Sequence, residues 1–236
     1  MRRIHEGTPT GNPGERSETR RAFRSIGRSA RKSRTPARQE PRATAPPASL
    51  RPVRIAVFCG SSRKSPKALL ESAWIVGQEL GRRRHTLIYG GGRTGLMGAV
   101  ADGTLAAGGA VHGIILREFI NMDVHHPGID ELTPVDDMRS RKAGLDERAD
   151  AFIALPGGYG TLEEITEILS FRKLGHHHRT VVLLNVDSFY DGLIRQIERG
   201  VAECFDDSDA LDYFRVTEDP RDAVDLCETS LNAARD

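Results

Sequence analysis

Residues 151–164, AFIALPGGYGTLEE, run an apolar strand into a glycine turn and straight into a helix whose first turns carry Thr161, Glu163 and Glu164. Strand, glycine turn and helix in that order form the joint of a parallel α/β sheet. Gly157, Gly158 and Gly160 are expected to take positive φ angles and let several backbone N–H groups approach one anion at the helix's positive end, as in a phosphate cradle. A carboxylate within a turn of that end would repel bound phosphate unless it faced another part of the ligand. The stretch therefore reads as the anchor of a phosphorylated substrate, with Glu164 acting on a bond some distance from the charge.

The same alternation extends to both sides. Strands are expected at Ile55–Cys59, Leu87–Tyr89, Ala110–Ile115, Ala151–Leu155 and Val181–Asn185, with a shorter one near Phe214–Val216. Helical patterns fill Pro66–Arg83, Gly95–Ala107, Met138–Arg148, Thr161–Leu174, Phe189–Glu203 and Pro220–Ala234. Within the fourth, Leu162, Ile165, Ile168, Leu169 and Phe171 supply the stripe needed to pack on a sheet. One α/β domain over residues 51–236, a doubly wound, mainly parallel sheet flanked by helices, accounts for this order. Ligands of such sheets sit outside the carboxyl ends of the strands.

The net charge of +1 over 236 residues hides an asymmetry. Residues 1–50 hold 12 Lys+Arg against 4 Asp+Glu, or +8, leaving 22 against 29, or −7, for residues 51–236. The first segment lacks a periodic apolar face and is expected to be a disordered basic tail. It is open to three readings: a solvated extension, an organellar transit segment, or a nucleic-acid arm, the last without the aromatic interleaving that such arms carry. No apolar run reaches membrane-spanning length. Cys59, Cys204 and Cys227 are odd in number and lack C-x-x-C spacing, which suggests buried free thiols in the cytoplasm rather than a disulfide framework or a zinc site.

Other strand ends offer further chemistry. After the first strand comes CGSSRKSP (59–66), with Ser61, Ser62 and Arg63; after the second comes YGGGRTGLMG (89–98), where Gly90-x-Gly92-x-x-Gly95 formally matches a dinucleotide fingerprint, with Glu118 near the spacing of a ribose-binding acid. The alternative reading is a tight strand-to-helix junction with a substrate contact, and it is the favoured one. The cluster Asp136–Lys142 is either a solvated helix face or a set of cations reaching the rim of the glycine turn. His125-His126 and His176-His177-His178 lack metal-ligand spacing and read as solvated loop or helix-end residues. Trp74 and Met97 read as core residues.

YGGGRTGLMG, MRSRKAGLDERADAFIALPGGYGTLEE (138–164) and LLN (183–185) stand in the order and spacing of the LOG ("lonely guy") proteins, and residues 53–205 resemble that family. The resemblance implies a Rossmann-like fold and cleavage of a cytokinin-type or other purine nucleoside 5′-monophosphate to free base and ribose 5-phosphate. It implies Arg141 and Glu164 as the catalytic pair. It implies nucleotide contacts at Gly157, Gly158, Gly160 and Thr161 for the phosphate, and at Ser61, Gly91, Asp123, Met138, Lys142 and Ser170 elsewhere. A homodimer or larger homo-oligomer is implied, with no cofactor and no metal. The chain departs from the family pattern at Leu116-Arg117, at Asp123 in place of a glutamate, and at Ser170-Phe171, positions that bear on which base is accepted. A non-catalytic carrier of the same fold, similar to molybdenum cofactor carriers, is the alternative.

Overall fold

The structure is a computed structural model and describes residues 52–233, with side chains to residue 229. The basic tail expected at residues 1–50 lies outside the described residues. Seven strands, β1 (Arg54–Phe58), β2 (Thr86–Tyr89), β3 (Ala110–Leu116), β4 (Glu131–Val135), β5 (Ala151–Ala154), β6 (Thr180–Leu184) and β7 (Arg215–Thr217), make one sheet among the described residues, in the order β4-β3-β2-β1-β5-β6-β7. Every pairing in it is parallel, so the mainly parallel sheet expected is wholly so.

Parallel pairing requires crossovers, and these bury both faces of the sheet. The central strands therefore read as continuous apolar runs, AFIA in β5 and TVVLL in β6, all buried. On one face Ala73, Val76 and Leu80 of α1 (Lys67–Arg82), Leu96 and Val100 of α2 (Gly95–Ala106) and Val224 of α7 (Pro220–Ala233) pack with Ile55, Val57, Leu87 and Ile153. On the other, Leu145 of α4 (Met138–Arg148) and Ile165 and Ile168 of α5 (Tyr159–Lys173) pack with Phe58, Ile88 and Phe152. Leu193, Ile194 and Ile197 of α6 (Asp191–Ala202) border that second core.

The strand order reverses between β1 and β5, the place where doubly wound sheets open a crevice. The two loops leaving these strands touch: Leu155 N donates to Phe58 O at 2.9 Å and Gly60 N to Pro156 O at 3.1 Å. Tyr190 braces the same corner from the other side, its hydroxyl donating to Leu155 O at 2.6 Å while its amide donates to Asn185 Oδ1 at 2.6 Å. The LLN stretch is thus an anchor for the end of β5.

Some expectations need correction. The sequence reading omits β4 and the short helix α3 (Arg117–Asn121). ELTPV has a charged first residue and a proline, and is acceptable as a strand because it lies at the sheet edge, where Pro134 faces only one neighbour, Ile115. His177 is buried rather than solvated: its Nε2–H reaches Ile168 O at 3.0 Å and its Nδ1 accepts from Arg179 N at 3.2 Å. Burial and the neighbouring Arg179 hold its pKa below the usual histidine value. Trp74 is surface-exposed rather than core, because α1 and α2 touch through glycine: a Cβ on Gly103 would lie 2.4 Å from Trp74 O, leaving the indole outside the contact. Cys59 and Cys227 are buried thiols, but Cys204 is exposed at a positive φ of 62° just after α6.

Candidate active site

Asp137 fixes the start of α4. Its Oδ1 accepts from the amides of Arg139 and Ser140 at 2.9 and 3.0 Å, and its Oδ2 accepts from Ser140 Oγ at 2.6 Å. Such a cap satisfies orphan amides and sets the rotational phase of the helix. One turn on, that phase points Arg141 inward and under the sheet's carboxyl edge, where Nε donates to Ile114 O at 3.2 Å and Nη1 donates to Glu164 Oε1 at 2.8 Å. The Arg141 and Glu164 side chains are 8% and 6% exposed. The guanidinium fits because residue 90 is glycine: a Cβ there would stand 2.0 Å from Arg141 Nη2.

Burial raises the pKa of Glu164 above the ordinary carboxylate value, and the charge of Arg141 opposes that rise. A partly desolvated carboxylate beside one fixed cation, in a crevice at a strand-order reversal, is the environment in which acid–base groups are tuned. Cys59 is fully buried close to the pair, its thiol pushed up by burial and by the charge of Glu164, so it presents no thiolate there.

The glycine turn has a different geometry from the one expected. Positive φ occurs at Gly91, Gly95, Gly108 and Gly175 among the described glycines, and not at Gly157, Gly158 or Gly160. Close approach is what demands glycine at 157: a Cβ would lie 2.1 Å from Thr161 Oγ1 and 2.9 Å from Gly60 N. At Gly158 and Gly160 a Cβ would meet open space, so these two residues form the face that a ligand can approach. Gly158 is the N-cap of α5 and supplies no capping side chain. Its carbonyl accepts from Leu162 N at 3.0 Å, and Thr161 is buried beneath the turn.

The second glycine turn is occupied by the protein itself. Gly60 O accepts from Leu96 N at 2.9 Å and Met97 N at 3.3 Å, so the first amides of α2 already have an acceptor. Gly95, at φ +62°, exists to let the β1 loop in, since a Cβ would lie 2.6 Å from the Ser61 carbonyl carbon. Thr94 Oγ1 locks the same loop by donating to Ser61 O at 2.7 Å. Glu118 lies exposed on α3. The fingerprint match is therefore a strand-to-helix junction, the favoured of the two readings.

The remaining sequence candidates are dispersed. Gly91 is buried at φ +76° and its carbonyl accepts from His126 N at 2.9 Å, tying down the loop after α3. On that loop Asp123 pairs with Arg93 at 2.9 Å rather than with the central pair. Met138 is exposed, with its sulfur 3.8 Å from Arg141 Nη1. Lys142 Nζ bonds Glu163 and also Glu167, the latter at 3.0 Å. Ser61 is exposed beside Gly60. Ser170 does not meet Arg141 or Glu164; with Thr166, Leu169, Lys173, Tyr213 and Phe214 it lines a separate cavity of about 310 Å³. Met97 packs against the core as expected, whereas Gly60 is missed by sequence reasoning, although a glycine directly after a buried strand is the available signal for it. Among the described residues no group of three His, Cys, Asp or Glu side chains could hold a metal ion.

A family model described as "possible lysine decarboxylase" matches residues 97–227. The chain is 45% identical over 152 residues, 64% of its length and 70% of the relative's, to a cytokinin riboside 5′-monophosphate phosphoribohydrolase of Arabidopsis thaliana. It is 43% identical over 152 residues, 64% of its length and 67% of the relative's, to a probable enzyme of the same name from Oryza sativa subsp. japonica. Among solved structures, the molybdenum cofactor binding protein of Rippkaea orientalis superposes with a TM-score of 0.60 at 22% identity, over 78% of this chain and 99% of that one. The Moco carrier protein of Chlamydomonas reinhardtii does so with a TM-score of 0.56 at 19% identity, again over 78% and 99%. These two likenesses show the fold. Taken with the buried Arg141–Glu164 pair and the glycine turn that lies between its members in the chain, the family match and the relatives establish that this chain belongs to the LOG family.

Proposed function

We propose that this protein hydrolyses the N-glycosidic bond of a purine nucleoside 5′-monophosphate, cytokinin-type or AMP, releasing free base and ribose 5-phosphate. The observation that carries the reading is the buried Arg141–Glu164 pair within two turns of the start of α5, which has no side-chain cap. A phosphate accepts hydrogen bonds from the first amides of α5 on the open side of Gly158 and Gly160, with Thr161 beneath. Glu164, one turn along the helix from Thr161, then faces the ribose rather than the phosphate.

Breaking the C1′–N bond leaves cationic character on the ribose, which an ionised carboxylate stabilises while accepting a proton from the attacking water. The water oxygen becomes the new substituent on C1′ and the bonding electrons leave with the base, which then takes up a proton. Arg141 remains charged throughout, so it is not the acid. It holds Glu164 in place or stabilises negative charge on the departing base. Phosphate binding several bonds from C1′ orients the ribose and so contributes to rate as well as affinity.

The relatives' printed names support this activity, and the homodimer expected from the family and the cytoplasmic location expected from the cysteine pattern belong to the same proposal. No helix among the described residues is long and apolar enough to cross a membrane. The carrier alternative is supported by fold likeness alone. Incubation of purified protein with AMP and with isopentenyladenosine monophosphate, followed by chromatography for free base and ribose 5-phosphate, tests the reading. Binding of both nucleotides with release from neither refutes it.

A further inference from the structure

We propose that the chain carries a second anion site, sized for one phosphate group, at the end of the sheet opposite the catalytic pair, built by Arg172 of α5 and Arg215 of β7. Thr180 and Arg215 are the first residues of β6 and β7, so the site lies at the amino edge of these strands, whereas Glu164 serves the carboxyl edge. Along α5 the two are eight residues apart, about 12 Å at the helical rise.

A cavity of about 80 Å³ opens here, lined by Arg172, His178, Thr180, Asp212, Tyr213 and Arg215. That volume accommodates about two or three waters, or one tetrahedral oxyanion without the rest of its molecule. Arg172 sits over the Tyr213 ring, with its Cζ 6.0 Å from the centroid. Its Nη1 donates to the carbonyls of His178 and Arg179, which holds the guanidinium in place. A guanidinium has five donors, and among the described residues Nε–H and the Nη2 group of Arg172 meet no acceptor. Arg215 forms no ion pair among the described residues, and Asp212 at the rim pairs with neither arginine.

Like charges brought together in a concave, partly desolvated place are costly unless an anion joins them. Burial and the proximity of Arg215 together hold the Arg172 guanidinium below its ordinary range, which is the signature of that cost. An oxyanion accepting from the free donors of Arg172, from Arg215 and from the Thr180 hydroxyl removes it. The bidentate fork of arginine matches phosphate oxygens. Free phosphate and the phosphate of a small phosphorylated metabolite present the same group, the remainder of a metabolite staying outside the cavity.

The test is amide-resolved NMR of the full chain titrated first with inorganic phosphate and then with ribose 5-phosphate, against sodium chloride at matched ionic strength. Saturable shifts are expected at the amides of Thr180, Val181 and Arg215, separate from those at Gly158–Thr161. A tighter site for ribose 5-phosphate identifies a metabolite as the ligand, and equal affinity identifies free phosphate. Arg215→Glu, at an exposed position, is expected to lower affinity at Thr180–Val181 at least tenfold while leaving the Gly158–Thr161 shifts unchanged. Shifts confined to Gly158–Thr161, shifts reproduced by chloride, or shifts unaltered in Arg215→Glu overturn the proposal.

Discussion

Arg141 Nη2 occupies the place where a side chain on residue 90 would begin: a Cβ on Gly90 would lie 2.0 Å away. Glycine at the end of β2 is therefore a condition for the Arg141–Glu164 pair. Gly90→Ala is expected to displace the guanidinium and reduce turnover roughly 100-fold, on the scale of misplaced catalytic geometry. Steady-state base release from AMP measures the effect, and full activity in the variant would show that Arg141 has room to move.

Glu164→Ala is expected to lower kcat by roughly 10³-fold, within the range of a lost general acid–base group, while nucleotide binding persists. It also leaves Arg141 buried without its carboxylate, at a cost of about 3–5 kcal/mol of stability. Calorimetric nucleotide binding beside turnover separates the two effects. A Glu164→Ala protein that folds, binds and turns over normally contradicts the assigned role.

The pH profile has a definite sign. Burial raises the folded-state pKa of Glu164 and Arg141 opposes the rise. The ionised form is the active one, so kcat/KM is expected to fall as pH drops through a value above that of an ordinary glutamate. Arg141→Gln removes the opposing charge and is expected to move this limb to higher pH. Linkage runs the other way for stability: the contribution of Glu164 is fully present below its unfolded pKa and is lost as pH rises through the folded one.

Gly160→Ala separates stability from recognition. In the first turn of α5 a Cβ meets open space, so alanine is expected to stabilise the fold by about 0.5–1 kcal/mol. The same Cβ intrudes where the phosphate approaches, and KM is expected to rise several-fold. Thermal unfolding and Michaelis kinetics on one preparation check both signs.

Lys142 is held by Glu163 and Glu167, with its pKa raised first by the hydrogen bond that it donates to Glu163. Its pairs join α4 to α5 at a partly exposed position, and such pairs contribute about 0–1 kcal/mol. Lys142→Gln is therefore expected to change stability little, and to reduce kcat far less than Arg141→Gln does. A kcat loss equal to that of Arg141→Gln would place Lys142 on the reacting atoms.

The sheet was legible in the sequence because its central strands are apolar on both faces and each is followed by a helical stripe, so periodicity and length agree. β4 was not, because an edge strand with Pro134 lacks both signals. Arg141 and Glu164 were legible through motif spacing, but their contact depends on the phase of α4, which Asp137 sets through hydrogen bonds. The glycine turn was read correctly as a joint and wrongly in its mechanics. A short glycine run does not reveal whether it serves positive φ, as at Gly95, or close packing, as at Gly157. Ser170 was placed at the ligand and lies elsewhere, since one residue's step, about 100° around α5, decides which way a side chain faces.

The Gly60 carbonyl has a further consequence. By accepting from Leu96 and Met97 it acts as a built-in acceptor for the start of α2, whereas α5 begins at Gly158 with no side-chain cap. On the proposed function, a single oxygen atom thereby fits the crevice to a ligand with one phosphate. A rerouted β1 loop that withdrew it would uncover a second pole across the same gap, and a ligand bearing two phosphates, rather than a monophosphate, would become the natural fit.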